Sequence, residues 1–281
     1  MHQGTRHREA GRNPAAWAHS SGPAAFPTLR SLAMFLAITG GLLVVWDLAV
    51  RAGFVSTLVP SPGSVGKEVV AALRDPFYVS GTNSVGIGWH LLASLTRVLI
   101  GCGLATLVAV PLGFLFASWP TLGRAVDPIL QLLRPVSPLA WLPIGLAIFR
   151  DSQHTAIFVI FVAAVWPILL NTILGVRTVP ETYLALGRTI GASRRTVGLR
   201  IMLPAALPSI LTGVRLALGM GWLVIVAAEM LVGGRGIGTF IWNNWNNLDV
   251  AAICVAILVV GAIGLLLDRG VRQLERLVTH D

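Results

Sequence analysis

The feature that most constrains this chain is a set of apolar runs long enough to cross a lipid bilayer. A helix rises about 1.5 Å per residue, so roughly 20 mostly apolar residues span the hydrocarbon layer. Such runs lie at about 32–50, 95–117, 126–149, 155–176, 209–232 and 250–267. Lipid offers no hydrogen bonds to the backbone, so each run must satisfy its own amides, and a helix does this. The expected fold class is all-α: a polytopic membrane protein with about six transmembrane helices. Composition agrees, because only 12% of the 281 residues are charged while 55% are hydrophobic. A soluble domain carries about 25% charged residues.

The same composition excludes several kinds of chemistry. The net charge of +9 does not point to nucleic acid, since Lys67 is the only lysine and the arginines are scattered. Cys102 and Cys254 both sit inside apolar runs and read as small buried residues rather than a disulfide. The six histidines form no HExxH or Cys/His pattern, so no metal is expected. No nucleophile–base constellation suggests an enzyme. A phosphate-binding loop needs Gly-x4-Gly-Lys-Ser/Thr, but the single lysine is followed by Glu68, so this chain is not expected to hydrolyse ATP.

Arginine placement sets the expected orientation, because cytoplasmic loops are enriched in basic residues. With the N-terminus inside, thirteen basic residues fall in inner segments, from Arg6, Arg8 and Arg12 to Arg269, Arg272 and Arg276. Five fall outside: Arg51, Lys67, Arg74, Arg150 and Arg235. Both termini are therefore expected in the cytoplasm. The organisation reads as a disordered cytoplasmic N-terminus over 1–30, then a first span with an outer amphipathic segment over 31–94. A transmembrane core over 95–268 and a cytoplasmic tail over 269–281 follow. The first run reads as a retained anchor, lacking a clean small-residue cleavage site.

Three polar features stand out. In the outer segment, Val65, Val69, Val70 and Leu73 recur at helical spacing and predict a short amphipathic surface helix. His90, Ser94 and Arg97, spaced four and three apart, lie on one face of the stretch 89–98. They read as an interfacial helix end whose polar groups reach for water, with a functional trio as the alternative. The third run carries Asp127, Gln131, Arg134 and Ser137 among Pro128, Pro135, Pro138 and Pro143. Proline breaks the hydrogen-bond ladder, so this helix should be irregular and face protein or water.

The most informative segment is 179–204, too long for a simple connector. It holds two helical patterns separated by Gly191, whose second half is basic through Arg194, Arg195 and Arg200. In this segment the chain resembles the membrane subunits of bacterial ABC importers that work with binding proteins. Their signature is Glu-Ala-Ala, three residues, Gly, nine residues, Ile-x-Leu-Pro. This chain matches at Gly191, Ile201, Leu203 and Pro204, but has Ala185 in place of the glutamate and Gly187 in place of the second alanine. The stretches 134–147 (RPVSPLAWLPIGLA), 227–238 (AAEMLVGGRGIG) and 241–247 (IWNNWNN) look more like nitrate-type permeases than sulfonate-type ones.

The resemblance implies a non-catalytic permease subunit of the inner membrane that carries a small anion. Nitrate comes first, with nitrite, cyanate or bicarbonate as variants and a sulfonate or taurine permease as the alternative. A transporter or channel working without ATP is the alternative of another class. The implied partners are two cytoplasmic ATPase subunits that use ATP and magnesium, a periplasmic or lipid-anchored binding protein, and a second permease copy. This chain itself would bind no cofactor. The implied ATPase-coupling residues are Ala185, Gly187, Gly191, Ser193, Arg194, Arg195, Ile201, Leu203 and Pro204, with a docked helix at about 192–199. Arg134, Ser137 and Arg215 are candidate pathway residues, and Glu229, which would repel an anion, is read as structural or gating.

Overall fold

A computed structural model describes residues 29–81, 85–189 and 191–279, and within these the side chains of 184, 186, 188, 194, 278 and 279 are left undescribed. The expected disordered N-terminus lies outside the described residues up to position 28. The chain divides into two compact units, 1–55 and 56–281. The first contains α1 (Leu29–Arg51), a 23-residue apolar helix whose last turn carries an Asp47–Arg51 ion pair of 2.6 Å.

The second unit holds the remaining helices. Helix α2 (Pro62–Arg74) starts at Ser61, whose side chain caps the Ser64 amide, and packs Val69 and Ala72 toward α10 and α11. The long helices are α3 (Ile87–Ser118), α6 (Ser152–Arg177), α9 (Leu203–Val232) and α11 (Val250–Thr279). Between them lie α4 (Pro120–Leu133), α5 (Leu142–Phe149), α7 (Glu181–Thr189), α8 (Arg194–Val197) and α10 (Ile237–Asn246). Among the described residues, five helices are long and apolar enough to cross a membrane. A sixth crossing exists if α4 and residues 138–149 count as one span broken by a 92° bend.

The core runs along α6, which packs against α3 and α9. Small residues make this possible, because lipid supplies no hydrophobic drive between helices and close backbone contact must replace it. Ala105 and Ala109 of α3, Ala156 and Ala164 of α6 and Ala217 of α9 are all essentially inaccessible. A Cβ on Gly101 would lie 2.7 Å from the Ile160 side chain, so that crossing requires glycine.

The apolar runs of the sequence correspond to these helices, with two informative differences. The second spanning helix, α3, begins at Ile87, about two turns before the run that hydropathy marks, because its first turns carry polar side chains that are buried rather than exposed. The third run is interrupted at 134–137, which contains Pro135, and continues as a 3-10 turn that starts at Pro138 (Pro138–Trp141) and leads into α5. The irregularity expected from the prolines is thus concentrated in one sharp corner.

Candidate functional site

The most demanding group in the bundle is Glu229, in the last turn of α9, with 0% of its surface exposed. A charge inside an apolar bundle is tolerated only with partners. Glu229 has four. Arg97 Nη1, from α3, lies 2.6 Å from its Oε1. Ser94 Oγ lies 2.8 Å from both carboxylate oxygens. The Gly238 amide donates to Oε2 at 3.0 Å, and the Thr239 hydroxyl donates to the Glu229 carbonyl at 3.1 Å.

The same groups fasten the connection between α9 and α10. Arg97 Nη1 also donates to the Arg235 carbonyl at 2.6 Å, and the Ile237 amide donates to Ser94 Oγ at 2.9 Å. His90 Nδ1 lies 2.9 Å from the Gly236 carbonyl oxygen and 3.2 Å from its amide nitrogen. The connection needs glycine for two separate reasons. Gly233 and Gly234 have φ of 74° and 90°, which side chains rarely adopt. Gly236 is extended, but a Cβ there would fall on the Glu229 carboxylate.

His90, Ser94 and Arg97 are therefore not water-seeking: they are 7%, 0% and 6% exposed. Their spacing does put them on one face, and that face looks at Glu229 and not at solvent. The sequence marks Glu229 as structural or gating but does not name its partner, Arg97. An unmatched arginine on one apolar helix and an unmatched glutamate on another were the available signal.

The other candidates lie elsewhere. Arg134 sits at the α4 break and, with Pro138, Trp166, Pro167, Asn171 and Met220 among others, lines a cavity of about 360 Å³. Ser137 lies in the same corner, exposed, its carbonyl accepting the Ala140 amide. Arg215 faces α11, where Nη1 meets Glu275 Oε2 at 3.1 Å and Thr212 donates to the other oxygen at 2.9 Å. It does not line the Arg134 cavity, so the two arginines occupy different faces of the bundle.

In the segment 179–204, α7 and α8 are joined by a tight reversal. Gly191 adopts φ of 67°, and the Ala192 amide donates to the Gly187 carbonyl at 2.9 Å. Ser193 caps α8 by accepting the Thr196 amide. Gly187 is buried where a Cβ would lie 3.0 Å from Val197 and 3.1 Å from Ile201, so glycine there lets α7 close onto the signature isoleucine. Ala185 and Arg195 are exposed, and Leu203 packs beside Val176, Ala206 and Ile210.

The docked helix expected at 192–199 is not separate. After Val197 the chain widens into a π-turn (Gly198–Met202) and runs on into α9. Pro204 has no amide hydrogen for the Arg200 carbonyl and its ring would crowd that oxygen. The wider turn, closed by Leu203 N–H to the Gly198 carbonyl, accommodates it. No cluster of three or more His, Cys, Asp or Glu suited to a metal ion occurs among the described residues.

Residues 109–280 match the family of binding-protein-dependent transport system inner membrane components. This chain belongs to that family. It is a multi-pass membrane permease of the ABC type, a transport component and not a catalytic subunit. It is 45% identical over 237 residues to the nitrate import permease protein NrtB of Synechocystis sp., covering 84% of this chain and 86% of that one. It is 40% identical over 276 residues to the bicarbonate transport system permease protein CmpB of the same organism, covering 97% and 96%. Identity to the taurine transport system permease protein TauC of Escherichia coli is 32% over 255 residues, covering 90% and 91%. The permease fold is shared with a chain of the MetNI methionine ABC transporter in an inward-facing conformation. The TM-score is 0.61 at 18% identity, over 69% of this chain and 98% of the other.

Truncating one partner of a buried ion pair strands the other charge at a cost of about 3–5 kcal/mol. Arg97→Ala and Glu229→Ala should each lower the stability of the permease in detergent by that order. The double variant should lose less than the sum of the two. Thermal unfolding followed by size-exclusion chromatography checks this, and single variants as stable as wild type would show the pair to be dispensable.

Proposed function

We propose that this permease carries a small oxyanion, nitrate before bicarbonate, through an ATP-driven importer of the inner membrane. The observation that carries the substrate class is the pattern of identity. Relatives named for nitrate and bicarbonate import are 45% and 40% identical over most of the chain, against 32% for the taurine relative. Bicarbonate is the second reading, favoured by the 97% coverage of the chain in its alignment.

Two copies of the permease would form the pathway, with two cytoplasmic ATPase subunits below and a periplasmic or lipid-anchored binding protein above. Both termini then lie in the cytoplasm, and α7 with α8 faces the ATPase. The uninterrupted passage from α8 into α9 supports a direct mechanical route. A push on α8 moves α9 as one rod, and the Glu229–Arg97 pair at the far end makes α3 follow. Such rigid-body rocking between two packed arrangements is the usual form of an alternating-access change. Arg134, in its cavity at the α4 break, is the pathway cation. Irregular backbone at membrane depth belongs where it is buried in protein or lines a water-filled cavity.

The direct test is ATP-dependent uptake of labelled nitrate and bicarbonate, and growth on taurine, in cells lacking and then regaining the gene. Loss and rescue of nitrate uptake alone is expected. Loss of bicarbonate uptake with nitrate intact selects the second reading, and loss of taurine growth alone contradicts both.

Coupling has its own test. Arg194→Ala/Arg195→Ala should reduce recovery of the ATPase subunits with the permease, or the uptake achieved per ATP hydrolysed. Unchanged recovery and coupling would remove these arginines from the ATPase contact.

A further inference from the structure

Around α10 lies a second cavity, lined by none of the residues of the Arg134 cavity or of the coupling segment. It measures about 480 Å³ and is lined by Tyr78, Val85, His90, Phe240, Asn243, Asn244, Asn246 and Asn247. Four asparagines within five positions of one helical end is a costly choice. Asparagine is a weak helix former, because its amide competes for nearby backbone groups. Positions 243, 244, 246 and 247 are also three and four apart, so the amides gather on one side of the helix.

Three of these amides face solvent. Only Asn244 is engaged, its Nδ2 donating to the Phe240 carbonyl at 2.8 Å. Among the described residues the side chains of Asn243, Asn246 and Asn247 make no hydrogen bond, and they are exposed. The wall behind them is held in place. His90 is fixed to Gly236 through Nδ1 and lies against Phe240 with ring centroids 5.4 Å apart. Among the described residues no carboxylate lines the cavity, and Glu229 beyond it is neutralised by Arg97.

We infer that this vestibule is a low-affinity subsite for the transported oxyanion, resting on the reading of the permease as a small-anion importer. Neutral N–H donors match a small oxyanion, whose oxygens accept several hydrogen bonds at once. They lack the fixed positive charge that would trap it. A conducting path needs sites strong enough to admit an ion and weak enough to release it. The proposed orientation puts α10 on the outer side, so the ion released from the binding protein meets these amides before it reaches Arg134.

The experiment uses the complete transporter, permease with ATPase subunits and binding protein, in proteoliposomes. Labelled nitrate and bicarbonate uptake and the affinity of the loaded binding protein for the transporter are measured together. Asn243→Asp/Asn247→Asp keeps the side-chain shape while placing two like charges in the ion's way. Uptake should fall about tenfold or more while docking of the binding protein stays unchanged. Asn243→Gln/Asn247→Gln, which keeps the amides, should retain uptake within about twofold of wild type. Any other pattern overturns the inference. Unaltered uptake in the aspartate variant means the ion does not pass there. Docking weakened in step with uptake makes this face a contact for the binding protein. A glutamine variant as impaired as the aspartate one makes the asparagines structural. A wild-type transporter that carries neither ion would instead remove the small-anion reading, and this subsite with it.

Discussion

A carboxylate with no exposure to solvent, inside a bundle made mostly of alanine, glycine and branched apolar residues, dictates what surrounds it. Glu229 requires Arg97 for charge, Ser94 and the Gly238 amide for its oxygens, and Gly236 for room. Each requirement draws in another segment. The first turns of α3 must be polar on one side, and the connection after α9 must contain glycine at 233, 234 and 236. That connection must also fold back over α3 rather than extend into solvent. A buried pair of this kind gives little net stability compared with an apolar core of the same volume. Its consequence is geometric: α3, α9 and the start of α10 are held in one arrangement.

That arrangement gives α9 two fixed ends. At one end the π-turn joins it to α8 and, through Gly187 against Val197 and Ile201, to α7. At the other the Glu229 network joins it to α3 and α10. Between them α9 packs on α6 through close contacts at Gly213 and Gly175. The corner at 134–137 lies outside this rod, and its cavity is lined by α6 and α9 residues that would shift when the rod tilts.

Much of this was legible in the sequence, in proportion to how local the cause was. Apolar runs of about 20 residues announce spanning helices, prolines announce the broken one, and Gly191 announces the reversal between α7 and α8, where φ is 67°. What could not be read depends on partners far along the chain. Ser94 and Arg97 look like a water-seeking face until Glu229, 135 and 132 residues away, is placed against them. The continuation of α8 into α9 is hidden in the sequence because Pro204 reads as the start of a new helix and not as the cause of a wider turn within one. The asparagines of α10 were visible as a run, yet carry chemical meaning only once Tyr78 and His90 enclose a cavity with them.

The pinning of residues 233–238 by the buried pair is tested most directly by hydrogen exchange of the intact permease in lipid nanodiscs. The Ile237 and Gly238 amides, bonded to Ser94 and Glu229 at 2.9 and 3.0 Å, should exchange as slowly as those of the α9 core. Exchange at the rate of an open glycine-rich loop would contradict a connection held by Glu229 and Arg97.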